Sequence, residues 1–132
     1  MTDLDIVRSR LVTQRLAGEP AADPAEAVRW LGAVQAQEFA EAKWSLAERT
    51  HNATDATVET AFAEGDIIRT HLLRPTWHFV ARDDVRWLLR LTRPRVHALN
   101  RYWYGKVGLD AEAFTRAHRA LAQALSDGRP RT

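Results

Sequence analysis

The stretch Arg69-Thr-His-Leu-Leu-Arg-Pro-Thr-Trp-His-Phe-Val80 decides the expected fold. It combines basic and aromatic residues, and its two halves predict strands over 67–72 and 76–80, joined at Arg74-Pro75. Because proline cannot adopt the positive φ of a tight two-residue turn, the connecting loop should be longer. After a predicted N-terminal helix, three predicted helices precede this hairpin. Three helices and a hairpin are the parts of a winged helix, a common way to hold DNA.

Helix-start signals predict the other elements. Asp23 is a typical N-cap, Pro24 suits the first turn, and Glu26 completes a capping box. Apolar residues at helical spacing indicate the remaining helices. These are expected from Leu4 to Leu16, from Phe39 to about Arg49, from Thr54 or Asp55 to Gly65, from Asp83 or Asp84 to a kink or new start at Pro94, and from Asp110 to Gly128.

The expected fold class is therefore mostly α. A winged helix, made of three helices and a two-stranded β-hairpin wing, is followed by a helical extension. The expected domains are the winged helix with its N-terminal helix over residues 1–82, the extension over 83–128, and the start of a linker to a further domain at 129–132. Apolar spacing also predicts that Trp30, Trp44 and Trp87 pack on or beside the core.

Composition restricts the class of protein. The chain has 132 residues, of which 45% are hydrophobic and 27% charged, as in globular rather than disordered proteins. It contains no cysteine, which excludes disulfides, thiolate zinc sites and cysteine nucleophiles. No apolar run approaches membrane-spanning length, and the start of the chain does not resemble a signal peptide. We expect no membrane association and a cytoplasmic location.

Charge is divided unevenly along the chain. Residues 1–66 carry 6 basic and 12 acidic side chains, a net charge of −6, whereas residues 67–132 carry 13 basic and 5 acidic ones, a net charge of +8. The second half is therefore suited to face a polyanion. Of the 19 basic residues, 17 are arginine, which binds phosphate well, although a compositional bias of the genome would give the same count.

Gln35 and Gln37 are the candidate catalytic residues. They flank one alanine where the second helix should end, and such amides can orient water or a sugar by hydrogen bonding. The alternative is a polar, solvent-exposed helix end. Glu38 and Glu41 are further candidates, with a solvated helix start as their alternative. We expect at least one amide in a groove beside the hairpin, whereas a dry core or a strand location would argue against catalysis.

The hairpin carries the candidate DNA-binding residues. Its hydrogen-bond donors suit phosphate and sugar contacts, with ordinary structural bonds as the alternative, and the ring of Trp77 either stacks on bases or packs in the core. These residues are Arg69, Thr70, His71, Arg74, Thr76, Trp77 and His78. His71 and His78 are expected opposite each other, but a zinc site would lack a third ligand. We therefore predict no metal and no cofactor.

Basic residues after the hairpin extend this candidate surface. Arg82, Arg86 and Arg90 recur every four residues and predict one helical stripe, which either follows DNA phosphates or is a solvated face. Further along, the cluster Arg101-Tyr-Trp-Tyr-Gly-Lys106 is dense enough in aromatic residues to be an interface with DNA or with another domain.

Three segments together resemble the AlkZ-like winged-helix DNA glycosylases. They are Trp30-Leu-Gly-Ala-Val-Gln-Ala-Gln37, Lys43-Trp-Ser-Leu46 and the hairpin between Arg69 and His78. Members of that family carry a catalytic motif of glutamine, a hydrophobic residue and glutamine. The resemblance places this motif on Gln35, Ala36 and Gln37, with alanine as a small version of the middle residue.

The resemblance implies hydrolysis of the N-glycosidic bond of alkylated purines in double-stranded DNA. Family members with that activity are much longer than this chain, so the activity is expected as part of a longer polypeptide with further winged-helix domains. Many relatives are described only as winged-helix DNA-binding proteins. The alternatives are therefore a non-catalytic DNA-binding module or transcription regulator, and an assembly module that needs partner domains to bind DNA well.

Overall fold

A computed structural model describes residues 2–73 and 76–129. The described part is mostly helical, with a small antiparallel sheet. In chain order the elements are α1 (Asp3–Thr13), α2 (Pro24–Leu31), β1 (Val34–Gln35), α3 (Phe39–Ala47), α4 (Asp55–Ala63), β2 (Ile67–Leu72), β3 (Thr76–Ala81), α5 (Val85–Lys106) and α6 (Ala111–Ala124). None of the helices in the described ranges is both long enough and apolar enough to cross a membrane.

The sheet has three strands in the order β1-β3-β2, so the expectation of a two-stranded hairpin alone is wrong. The additional strand is β1, in which Val34 pairs with Phe79 and Gln35 pairs with His78. It forms because α2 ends at Leu31 rather than continuing. Gly32 adopts a φ of +76°, which glycine reaches without steric cost, and the chain turns there into an extended segment beside β3.

Two apolar clusters lie on opposite faces of the sheet. The larger one joins α2, α3 and α4 to the face that carries Phe79, whose fully buried ring lies 4.8 Å from that of Phe62 and 5.7 Å from that of Phe39. The smaller one joins Leu72 and Val80 on the other face to Leu88 of α5. The strands are therefore fixed from both sides.

The predicted starts of α2, α4 and α6 are confirmed by their capping contacts. The carboxylate of Asp23 accepts the N–H of Glu26 at 2.7 Å, and Glu26 in turn accepts the N–H of Ala22 at 2.8 Å. Thr54 caps α4 through the N–H of Thr57, and Asp110 caps α6 through the N–H of Ala113. Each cap satisfies backbone donors that a helix start otherwise leaves unpaired.

The three tryptophans predicted for the core are instead exposed. The exposed fractions are 55% for Trp30, 66% for Trp44 and 44% for Trp87. The indole N–H of Trp30 donates to the carbonyl of Thr13 at 2.7 Å, and the guanidinium of Arg15 lies 4.4 Å from its ring centre. Trp30 thus connects the segment after α1 to the surface of α2, which helical spacing alone does not reveal.

The chain divides into two compact units after Arg93. Helix α5 nevertheless continues through Pro94, so the expected new helix start there is wrong. Proline removes one backbone donor, and the turns on both sides of it remain helical. Within the second unit, the rings of His97, Tyr104 and Phe114 pack together, with 5.1 Å between the centres of the last two.

A buried lysine joins α3 to α4. The ammonium of Lys43 lies 2.7 Å from the carboxylate of Asp55 and 2.5 Å from that of Glu59. The hydrogen bond that Lys43 donates to Asp55, followed by the one that it donates to Glu59, raises the pKa of Lys43 above its ordinary value of 10.5. Because both carboxylates favour the charged ammonium, these contacts stabilise the packing of the two helices.

We predict that the contribution of Lys43 to stability is lost in alkali. A group whose pKa is raised by folding stabilises the protein fully below its unfolded pKa, and this contribution disappears as the pH rises through the folded pKa. The free energy of unfolding of wild type and Lys43→Met, measured with urea from neutral pH to about pH 12, should therefore converge above the ordinary lysine pKa. Lys106→Met, which changes an exposed lysine, serves as the control, and a constant difference for Lys43→Met would contradict the prediction.

Candidate functional site

Gln35 belongs to β1 and is exposed, Ala36 is completely buried, and Gln37, in a bend after the strand, is exposed again. The expectation that both glutamines lie at the end of a helix is therefore wrong, since α2 ends at Leu31.

A strand location argues against a catalytic role, and Gln35 lies in a strand whereas Gln37 follows it. Both residues are exposed, and neither lies in a dry core. They also line the same cavity, which has a volume of about 270 Å³. The cavity is lined by Gln35, Gln37, Glu38, Glu41, Ala42 and Ser45.

Five of the six residues that line this cavity have polar side chains. The cavity brings two amides, two carboxylates and one hydroxyl group together. Carboxylate and amide oxygens favour positive charge, so the cavity is suited to a cationic group or transition state. Sequence reasoning did not identify Ser45, although its position four residues after Glu41 places both side chains on one face of α3.

A larger cavity of about 580 Å³ lies between the start of α2 and helix α4. Asp23, Arg29, Glu64 and Asp66 are among its lining residues. None of the glutamines, hairpin residues or arginines selected from the sequence lines it. Size alone does not identify the functional site, since both cavities are lined by polar and charged side chains, and it is the smaller one that holds both glutamines.

Arg69 is directed towards the protein. Its Nε donates to the carbonyl of Ala36 and its Nη2 to the carbonyl of Gln37, both at 3.0 Å. The guanidinium carbon lies 4.7 Å from the ring centre of Trp77 and 5.4 Å from that of Phe39. These contacts tie β2 to the glutamine segment, a connection that the sequence did not indicate. The predicted DNA contact of Arg69 remains a prediction.

Strand register separates the hairpin candidates into two groups. Gln35, His78 and Thr70 are directly paired across the three strands and share one face of the sheet. His71 pairs with Trp77 on the other face, with 4.0 Å between their ring centres. His71 and His78 are therefore not opposite each other, because the register is shifted by one residue from the expected one.

His78 is buried, and its Nδ1 lies 2.9 Å from the carbonyl oxygen of Thr76. A carbonyl can only accept, so Nδ1 carries the proton and Nε2 of a neutral His78 is left as an acceptor. In the described parts of the chain, no three histidine or carboxylate side chains are placed to hold a metal ion. Arg74 lies outside the described residues, and Thr76 is half-buried.

The predicted arginine stripe is wrong at its first member. Arg82 precedes α5, and its guanidinium donates to the carbonyls of Gly65 and Glu64 at the end of α4. It satisfies acceptors that the helix end leaves unpaired. Arg86 and Arg90 do lie one turn apart on α5, and both are exposed.

Aromatic residues near the end of α5 are exposed as well. Tyr102 and Trp103 are 64% and 60% exposed, and the ammonium of Lys106 lies 4.7 Å and 5.3 Å from their respective ring centres. The exposure of these two rings agrees with an aromatic cluster on the surface, and the role of that cluster as an interface remains a prediction.

Comparison with protein families decides the relationship of this chain. The family model described as DNA glycosylase AlkZ-like matches residues 28–132, which include both glutamines, the hairpin and the arginines of α5. The chain belongs to the AlkZ-like DNA glycosylase family. Neither a curated protein nor a solved structure matches the chain. Membership confirms the resemblance, relates this AlkZ-like chain to DNA repair and implies that it binds DNA.

The burial of Ala36 gives a prediction about the stability of this AlkZ-like chain. Because Ala36 is fully buried, Ala36→Leu should overpack the core and lower the free energy of unfolding by about 1–3 kcal/mol. Urea denaturation measures this effect. Ala40→Leu introduces the same side chain at an exposed position of α3 and should change stability by less than about 0.5 kcal/mol. Equal effects of the two substitutions would contradict the assigned packing.

Proposed function

We propose that this chain takes part in hydrolysing the N-glycosidic bond of alkylated purines in double-stranded DNA, with Gln35 and Gln37 as catalytic residues. One observation carries the proposal: both amides are exposed and line a single cavity together with Glu38 and Glu41. Family membership supplies the reaction class, and the cavity supplies groups suited to it.

The chemistry requires little acid catalysis. A purine alkylated at N7 already carries a positive charge, so it departs as a neutral base when the bond between C1′ and N9 breaks. The electron pair of that bond goes to N9, and positive charge develops on the sugar. A water oxygen then bonds to C1′, and one water proton passes to a carboxylate or to bulk water.

Amide side chains can serve this reaction. Their oxygens stabilise the developing charge on the sugar, and they can orient the attacking water. They do not titrate, and placing them in a partly dehydrated site costs less than placing carboxylates there. Glu38 and Glu41, on the same cavity, add negative potential that favours a cationic substrate.

The first unit supports a winged-helix assignment. Helices α2, α3 and α4, with β1 between the first two, are followed by the β2–β3 hairpin, which is the element order of that fold. The pairing of β1 with β3 completes a small sheet from which the hairpin projects as the wing. In this assignment α1 is the preceding helix, and α5 begins the extension.

A transcription regulator with this fold would read DNA bases with α4. That helix, Asp55–Ala63, contains Asp55 and Glu59 and has no Arg, Lys, Asn or Gln. Phosphates would repel its carboxylates, and it lacks the side chains that most often read base edges. We therefore favour the glycosylase-related function over a regulator, with DNA on the hairpin and α5 side.

The DNA contacts predicted from the sequence comprise Arg69, Thr70, His71, Arg74, Thr76, Trp77, His78, Arg82 and Arg86. The proposed contacts are these residues other than Arg69, because the guanidinium of Arg69 is bound to two carbonyls. The exposed His71 and Arg86 are best supported, whereas Arg82 also has protein partners. We further propose that other winged-helix domains of the same polypeptide complete the DNA clamp, and that the protein acts in the cytoplasm.

The glutamines give the principal prediction. In the complete protein, Gln37→Ala should abolish release of N7-methylguanine from duplex DNA while DNA affinity stays close to that of wild type. Gln35→Ala should slow release about a hundredfold, the scale of losing one oriented hydrogen-bonding group. Removing an amide that acts on the transition state lowers the rate of base release rather than the affinity for DNA.

Gln123→Ala removes a glutamine from exposed α6 and should leave the rate unchanged. Melting temperatures of all variants establish that they are folded. If wild type and Gln37→Ala release the base equally fast, the glutamines are not catalytic, and the chain is a DNA-binding module.

The arginines of α5 give a prediction about binding. Replacing Arg86 and Arg90 by glutamine should lower the slope of log affinity against log salt by about 2, because each lost phosphate contact lowers it by about 0.9. The double replacement of Arg8 and Arg10 on α1 changes charge equally at exposed positions and should leave the slope unchanged. Titrations of labelled duplex at several salt concentrations measure both. Equal slopes for wild type and the α5 variant would assign these arginines to a solvated face.

A further inference from the structure

Arg69 holds the two peptide units on either side of Gln37. The carbonyl of Ala36 belongs to the peptide unit before Gln37, and the carbonyl of Gln37 belongs to the unit after it. The guanidinium of Arg69 binds both carbonyls at 3.0 Å. Because the guanidinium is planar and its donors have fixed directions, these two bonds restrict φ and ψ of Gln37 and thereby the direction of its side chain.

The guanidinium is itself held in place. It lies within cation–π distance of the rings of Trp77 and Phe39, at 4.7 Å and 5.4 Å. The ring of Phe39 packs edge-on against Phe79, which is fully buried. The ring of Phe39 therefore connects Arg69 to the buried Phe79 in the core.

The two hydrogen bonds from Arg69 come directly after the last hydrogen bond between β1 and β3. The N–H of Ala36 donates to the carbonyl of Trp77 at 2.8 Å and continues the pairing of β1 with β3. The next two carbonyls of the chain are those bound by the guanidinium. One side chain thus extends the order of the sheet to Gln37, whose own side chain is exposed at the cavity.

We infer that Arg69 is a positioning residue for base release, acting through Gln37 rather than by binding a DNA phosphate. This inference rests on the proposed function and adds a residue to it. A guanidinium with two donors committed to carbonyls has less capacity for phosphate than a free one. Its loss should therefore affect the chemical step more than DNA binding.

Arg69→Lys is the decisive variant, because it keeps the positive charge and removes the fork of donors. In single-turnover base release by the complete protein, we expect the rate at saturating enzyme to fall about a hundredfold, the scale of a misplacement of about 1 Å. The protein concentration at half-saturation should not change. Amide hydrogen exchange of Ala36 should become faster, which reports the loosened segment without reference to activity.

Arg15→Lys is the matched control. Arg15 also lies over a tryptophan, Trp30, and donates to a backbone carbonyl, that of Glu19, but it contacts neither glutamine. The Arg15→Lys substitution should lower the free energy of unfolding without lowering the rate of base release. Should Arg69→Lys fail to fold, Phe39→Leu removes one supporting ring and should slow release about fivefold, as expected from losing a cation–π contact of about 1 kcal/mol.

Each outcome decides between the two roles of Arg69. A reduced rate with unchanged half-saturation, seen in Arg69→Lys and not in Arg15→Lys, supports positioning. A wild-type rate in Arg69→Lys would overturn it. So would a salt slope lowered by about 1 in Arg69→Met, because that is the signature of a lost phosphate contact. Absence of base release by wild type would contradict the proposed function itself, and the inference would fall with it.

Discussion

The pairing of Val34–Gln35 with β3 is the interaction on which the candidate site depends. It brings a segment that follows α2 beside His78 and Phe79, more than forty residues later in the chain. Once this pairing is made, Ala36 enters the core, and the glutamines on either side of it remain exposed. The cavity exists because a short strand, rather than a helix, carries these residues to the edge of the sheet.

Local signals determined how well the helices could be predicted. The starts at Asp23, Thr54 and Asp110 depend on hydrogen bonds within three residues, so the sequence contains all the information that is needed. Strand β1 has two residues and is stabilised by its partner, which no local pattern records. Trp30 was mispredicted for the same reason, since its indole N–H donates to Thr13 of another segment, whereas the indole N–H of Trp87 donates to the nearby Asp84.

The sequence indicated the two glutamines of the candidate site but neither Ser45 nor the geometry. Gln35 and Gln37 were selected as a pair at a helix end, whereas Gln35 lies in a strand and Gln37 follows it. The carbonyl bonds of Arg69 join residues more than thirty positions apart, and a basic residue in a hairpin ordinarily suggests phosphate binding. Arg82 was misjudged similarly, because its partners are carbonyls at the end of α4.

Arg69 also bears on the solubility of the fold. Strand β2 is an outer strand of the sheet, and an outer strand offers unpaired backbone groups to any other extended chain. A charged side chain on such a strand discourages pairing with another chain, and Arg69 is charged while keeping its own carbonyl partners. The residue that orders the glutamine segment thereby also discourages edge-to-edge aggregation of the sheet.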